Sequence, residues 1–231
     1  MTILTIVGIA TCAYAFHFAG TPPVHSQKDE VAAPRRPTKT SIAEKILPAL
    51  GPAMMYSFWA KSCFDILRTT QCNTADHPND SYLLCFGILP PHRYLVAWAL
   101  VIAAALIRRA CFRALGQFFT FTVTIQNQHK LIRSGPYSIV RHPGYSAWII
   151  LTAGIVLLHI ENLPTANEHA SSLLQTLEGG YNLLYISLSL FSLYALLIRA
   201  DVEDTMLHER CGQDWIEYSH QVPYQFVPFV W

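Results

Sequence analysis

The sequence predicts an all-α integral membrane protein of about five transmembrane helices. Three observations predict it. Of 231 residues, 52% are hydrophobic and 13% charged, whereas soluble chains carry about 25% charged residues. The apolar residues gather into stretches that approach the roughly 20 needed to cross a bilayer. The basic residues are unevenly shared among the loops that join those stretches, as the positive-inside rule requires. A formal net charge of +1 offers no electrostatic case for a nucleic-acid partner.

The first stretch, Ile3 to Phe18, makes residues 1–19 a first span. It lacks the basic n-region of a signal peptide and is expected to be retained. Residues 20–41 are a polar linker with Pro22, Pro23, Pro34 and Pro37, a composition that builds no packed core. Ser41-Ile42-Ala43-Glu44 then has the form of a capping box. It opens a second span over about 42–60, reaching towards Leu67. Pro48, Gly51 and Pro52 are expected to bend it, as neighbouring helices permit in a membrane. The third span covers about 94–112, the fourth about 145–159 and the fifth about 181–198. An amphipathic segment, 201–219, follows. Residues 42–231 therefore read as one membrane domain.

The basic residues orient this bundle. Arg108, Arg109, Arg113, Lys130, Arg133 and Arg141 gather at the end of span 3 and in the loop before span 4, while 161–180 contains neither Lys nor Arg. The loop 113–143 is expected in the cytosol and 161–180 outside it. Counting back places the linker, with Lys28, Arg35, Arg36 and Lys39, in the cytosol as well. The C-terminus is then cytosolic and the N-terminus is not. Six cysteines, at 12, 63, 72, 85, 111 and 211, form no C-x-x-C pair, so a zinc or thioredoxin-like site is not expected. Cys72 and Cys85 fall on the non-cytosolic side, where a disulfide could persist; two free thiols is the preferred reading.

Two cytosolic segments carry more chemistry than a connecting loop needs. The first runs from Gln126 through Lys130-Leu131-Ile132 to Gly135-Pro136-Tyr137, and on to Arg141-His142-Pro143-Gly144-Tyr145. Its Gly-Pro and Pro-Gly pairs punctuate tight turns, and between them stand His, Arg and Tyr side chains suited to a ligand. A polar interfacial loop with snorkelling Arg and Tyr explains the composition equally well. The second is Arg199-Ala200-Asp201-Val202-Glu203-Asp204, where Arg199 and Glu203 are four apart and share a helix face. Taken alone, that pair reads as an ion pair capping a span. Ionisable groups near membrane depth are costly, however, and often functional.

Together the two segments resemble the isoprenylcysteine carboxyl methyltransferase family. The carriers are H-x-L-I at His129, G-x-Y at Gly135, R-H-P-x-Y at Arg141, and R-x-x-x-E-D at Arg199. A tail with Leu207, Gly212, Tyr218, Val222-Pro223 and Pro228 follows. The stretch runs from about Thr120 to Pro228. The resemblance implies S-adenosylmethionine as co-substrate, held in a cytosolic pocket between the loop joining spans 3 and 4 and the C-terminal segment, with no metal. It assigns donor binding to Gln126, His129, Lys130, Leu131, Ile132, Tyr137, His142, Pro143, Gly144, Tyr145 and Glu203. Arg199 is assigned to the substrate carboxylate. The link from Gln126 to His129 is shorter than in the animal enzymes, and Trp215 stands where Tyr is common. The implied activity is methyl esterification of the C-terminal prenylated cysteine of processed CaaX proteins, bearing farnesyl or geranylgeranyl, at the endoplasmic reticulum membrane. Membrane lipid is the surrounding partner.

The chemistry asks little of the protein. A terminal carboxylate, with a pKa near 3.5, is already ionised at neutral pH and needs no general base. A planar Arg fork suits it bidentately. Three other readings stay open: a phospholipid N-methyltransferase, a sterol-reductase-like membrane enzyme using NADPH, and a non-catalytic scaffold.

Overall fold

A computed structural model of the chain describes residues 2–21, 42–74, 91–116, 131–160 and 173–230. Among the described residues all regular structure is helical. Helices α1 (Thr2–Gly20), α2 (Ile42–Thr74), α3 (Pro91–Leu115), α4 (Pro143–His159) and α5 (Leu173–Cys211) each contain one of the five apolar stretches. A single 3-10 turn, Gly135–Ser138, precedes α4, and a short α6, Gln213–Gln221, follows α5.

The boundaries differ from the expectation in two places. Helix α2 is continuous from Ile42 to Thr74, past the end expected between about residue 60 and Leu67. Helix α5 runs for 39 residues, through Arg199 and on to Cys211. At 1.5 Å per residue that is about 58 Å, nearly twice a bilayer's hydrocarbon core. The expected amphipathic segment 201–219 is therefore two pieces. The last part of α5 ends at Gly212, whose φ of +53° suits a residue without Cβ, and α6 starts immediately after it.

The core lies where α1, α2, α3, α4 and α5 meet: Ala13 and Phe16, Met54 and Phe58, Val101 and Ala104, Leu151 and Ile155, and Tyr185. Aromatic rings tie the helices together. Phe16 stacks on Phe58 at 5.0 Å, and Phe58 lies 5.8 Å from Tyr185. Helices α3 and α4 form the most extensive pairing. A Cβ on Gly154 of α4 would stand 3.0 Å from Val101 Cγ2 and 3.1 Å from the Ala97 carbonyl oxygen. Small residues that let backbones approach are how helices associate where lipid removes the hydrophobic drive.

The outward faces are as apolar as the core. Leu95, Val96 and Leu106 on α3, and Leu183, Leu184, Leu190, Phe191 and Ile198 on α5, are exposed. Two helix stretches, Arg93–Leu115 and Thr176–Cys211, are long and apolar enough to cross a membrane, and 39% and 22% of their apolar windows are buried. The buried core helix of a soluble domain would hide most of that surface. Outward Leu and Phe at this density suit a lipid surround. Two shorter apolar helices, Ile6–Gly20 and Pro143–His159, accompany them.

Polar side chains mark both ends of α4. At its C-terminus the buried His159 stacks on Tyr185 at 5.2 Å. Among the groups here is an ion pair from Lys61 Nζ on α2 to Glu178 Oε1 on α5, 3.1 Å long. At its N-terminus lies the cluster described next. The 17 residues between span about 25 Å.

Candidate functional site

The cluster is built by three pieces of chain. The Gly135–Ser138 turn delivers Tyr137, and Arg141-His142 leads straight into α4. Pro143 takes the first helical turn, where its missing N–H costs nothing. Beyond Ile198, where its apolar stretch ends, α5 presents Arg199, Glu203 and Asp204. The third piece is the chain after α6. It folds back so that Arg141 N–H donates to the Tyr224 carbonyl and His142 N–H to the Gln225 carbonyl, each at 2.9 Å. Ser146 Oγ adds a bond to the Phe226 carbonyl at 2.6 Å. Phe226 is buried and its ring lies 5.8 Å from that of His142.

Two adjacent carboxylates organise the cationic and aromatic groups. Glu203 Oε1 accepts from Tyr145 Oη at 2.7 Å and from Arg199 Nε at 2.9 Å. Its other oxygen is 3.7 Å from His142 Nδ1. Asp204 is buried and takes the opposite side of the same imidazole, 2.9 Å from Nε2. It also pairs with Arg141 Nε at 3.2 Å and accepts from Gln225 Nε2 at 3.1 Å. Burial alone would raise the Asp204 carboxyl. The bond from His142, the nearby His142 and Arg141 charges and the bond from Gln225 hold it below the usual carboxylate value instead. The His142 and Tyr145 rings stack at 5.5 Å.

The tyrosines above this layer stay protonated. Burial pushes Tyr137 well above its ordinary value and Tyr218 up to about 12. Tyr218 Oη donates to the Tyr137 carbonyl at 2.7 Å, tying α6 to the turn. Arg133 reaches the same helix, donating from Nη2 to the Asp214 carbonyl at 2.8 Å.

Of the residues expected at the site, the structure brings His142, Tyr145, Arg199 and Glu203 into direct contact. Pro143 and Gly144 form the buried and half-buried start of α4, and Tyr137 stands on the adjoining turn. Leu131 and Ile132 are half-buried just before that turn. Gln126, His129 and Lys130 lie outside the described residues, as do the linker 22–41 and Cys85. Asp204, Arg141 and Gln225 were assigned no role from sequence. Asp204 and Arg141 stood inside the quoted motifs and were visible there. Gln225 lay in an unremarkable tail and carried no signal.

Fold and site together define a helical, membrane-type protein with a buried carboxylate–histidine–arginine cluster at one end of its bundle. Residues 96–178 match the model of the isoprenylcysteine carboxyl methyltransferase (ICMT) family, which bears out the resemblance carried by the motifs. That match contains the turn 135–145 and ends before Arg199. The chain is 27% identical over 137 residues to a "Probable protein-S-isoprenylcysteine O-methyltransferase" of Oryza sativa subsp. indica, covering 58% of this chain and 61% of the relative. The counterpart from subsp. japonica has the same identity and coverage. "Protein-S-isoprenylcysteine O-methyltransferase B" of Arabidopsis thaliana is 25% identical over 133 residues, 57% of each chain. The chain thus spans about three-fifths of the length of the curated relatives it matches. No solved structure matches it.

Proposed function

We propose that this chain methylates the C-terminal carboxylate of a prenylated cysteine, using S-adenosylmethionine, at the cytosolic face of the endoplasmic reticulum membrane. The observation that carries the reading is the contact between Arg199, Glu203, Tyr145 and His142, in a chain that matches the methyltransferase family model. The donor supplies a methyl group already activated by its sulfonium, so the protein has to bind and orient. Glu203 is the anion suited to a cationic ligand's ammonium. His142 and Tyr145, stacked beside it, offer aromatic surface and polar edges. Pro143 and Gly144 hold the backbone of that turn. Leu131, Ile132 and Tyr137 stand at or before the preceding turn, and Gln126, His129 and Lys130 complete the donor set by resemblance. Arg199 grips the substrate carboxylate through its planar fork. Aligning the two reactants contributes several kcal/mol.

The exposed Leu and Phe faces of α3 and α5 favour a substrate that arrives from lipid. A farnesyl or geranylgeranyl chain partitions there, at about 0.8 kcal/mol per buried CH₂. The client proteins are CaaX proteins already processed to a terminal prenylcysteine. The test is incubation of membranes carrying the full chain with labelled S-adenosylmethionine and N-acetyl-S-farnesylcysteine. Base-labile methyl ester is the expected product. Label in phosphatidylethanolamine derivatives instead would make the chain a phospholipid N-methyltransferase, and NADPH consumption would make it a reductase relative. No turnover with any of them would leave a scaffold.

The proposed topology has five spans, over about 42–60, 94–112, 145–159 and 181–198 together with residues 1–19. The loop 113–143 and the C-terminus are cytosolic. In sealed microsomes, a cysteine introduced at Ser134 is expected to resist lumen-side labelling while one at Asn167 reacts. The reverse pattern would invert the bundle and remove the site from the cytosol.

The donor assignment has its own check. His142→Ala removes the ring that Asp204, Glu203 and Tyr145 surround. It is expected to weaken donor affinity at least about tenfold, the size of one hydrogen bond to a charged group, with a smaller change in prenyl-substrate affinity. An unchanged donor isotherm in calorimetry would remove His142 from the donor site.

A further inference from the structure

Arg108 of α3 is a buried cation for which the proposed carboxylate–histidine machinery has no use. The residue is 6% exposed. The guanidinium carbon lies 5.0 Å from the Phe112 ring centre and 5.5 Å from that of Trp148. Those rings attract the charge but provide no oxygen for its in-plane N–H groups. From a group with five donors, the hydrogen bond present among the described residues is a long one, 3.4 Å from Nη1 to the Gly144 carbonyl. Nε is buried and has no acceptor.

The neighbouring arginines differ from it. Arg133 faces Asp214, Arg141 faces Asp204 and Arg199 faces Glu203. No carboxylate of the described residues pairs with Arg108, and the segment 117–130 that follows α3 contains no Asp or Glu. A buried charge without a counter-charge is expensive. A bound anion would relieve that cost.

The position of Arg108 indicates which anion. Its Gly144 contact sets it against the turn whose next residue, Tyr145, donates to Glu203. Consecutive residues thus carry a cation at the Gly144 carbonyl and an anion at the Tyr145 hydroxyl, the two charges that the carboxylate and ammonium of an α-amino acid would pair with. We propose that Arg108 binds the carboxylate of the donor's methionyl group while Glu203 takes its ammonium. This rests on the reading of S-adenosylmethionine as the donor. A lipid phosphate suits the site less well, because the guanidinium lies beneath Phe112 and Trp148 rather than on the exposed face of α3.

The test is calorimetric binding to the full-length chain in detergent, comparing S-adenosylmethionine with decarboxylated S-adenosylmethionine, which keeps the ammonium and sulfonium but lacks the carboxylate. The parent is expected to prefer the intact donor by at least about tenfold, the scale of a charge-assisted bond in a dry site. In Arg108→Gln the preference should collapse to within about threefold, through weaker binding of the intact donor. Arg108→Lys should fall between the two, since it keeps the charge without the fork. No preference in the parent overturns the proposal even if neither variant folds. A preference that persists in Arg108→Gln also overturns it. A parent that binds neither compound sinks the donor reading itself, and this proposal with it.

Discussion

Replacing Arg199 by Lys is expected to lower kcat/KM for a farnesylcysteine substrate by roughly 30- to 1,000-fold. A charge-assisted, bidentate contact in a partly desolvated site contributes on the order of 2–4 kcal/mol, at about 1.4 kcal/mol per decade of rate. The side chain of Arg199 is 19% exposed, and its Nε is already engaged by Glu203 at 2.9 Å. That bond orients the guanidinium plane, and a lysine ammonium would keep the charge while losing the orientation. Donor affinity should stay within a few-fold of the parent, because His142 and Tyr145 remain. If Arg199 served only as an interfacial anchor, Lys would snorkel equally well. Steady-state kinetics beside donor calorimetry separates the two, and activity within about threefold of the parent would assign the carboxylate to another residue.

The second large effect is expected at Asp204. This carboxylate joins α5 to His142, Arg141 and Gln225, and so to the turn before α4 and the returning C-terminal chain. Asp204→Ala leaves Arg141 and His142 without their shared acceptor. The pair's side chains are 14% and 10% exposed for Arg141 and Asp204. Breaking such a buried pair from one side costs about 3 kcal/mol, or about 6–12 °C in thermal midpoint for a chain of this size. Donor affinity should fall as well, because His142 loses the group that fixes its ring. Asp204 also makes stability depend on pH. Its folded pKa lies below the unfolded value, so its contribution is complete above about pH 4–5 and is lost as pH falls through the folded pKa. Thermal scans in detergent should show an acid-side decline that is shallower in Asp204→Asn than in the parent. Identical acid limbs would mean that Asp204 is not held as a buried anion.

Much of the helical scaffold could be read directly. Each of the five apolar stretches lies in a helix, and two of those helices are long and apolar enough to cross a membrane, where a helix satisfies its own backbone. Helix ends were harder to read. The change from Leu-rich to charged residues at Arg199 marks where the apolar face stops. The backbone ladder, however, depends on hydrogen bonds between residues four apart and continues to Cys211. It stops where Gly212 takes a positive φ. In α2 the apolar stretch was expected to end between about residue 60 and Leu67, yet the helix runs on to Thr74. Hydropathy reports which solvent a segment prefers, and that need not change where a helix does.

The cluster itself divides in the same way. The Arg199–Glu203 pair followed from helical spacing, because residues four apart share a face in any α-helix. Residue types alone showed that 126–145 and 199–204 carried excess polar chemistry, and the order of the motifs suggested a purpose. Nothing local joins His142 to Asp204, 62 positions away, or Tyr145 to Glu203, 58 away. Those contacts exist because α4 packs along α5 in one register, a register set by the whole interface. Gln225 enters the site for the same reason, through a return of the chain that no pattern announced. Arg108 was legible only as one more positive charge at the cytosolic end of a span. Its burial beside Phe112 and Trp148, with no ion pair to an acid of the described residues, depends on how α3 meets α4. Sequence determines which residues prefer lipid, which prefer water and which are four apart on a helix, since those are properties of the local chain. Tertiary structure alone decides which distant charges share a low-dielectric space, and which of them is left for a ligand to neutralise.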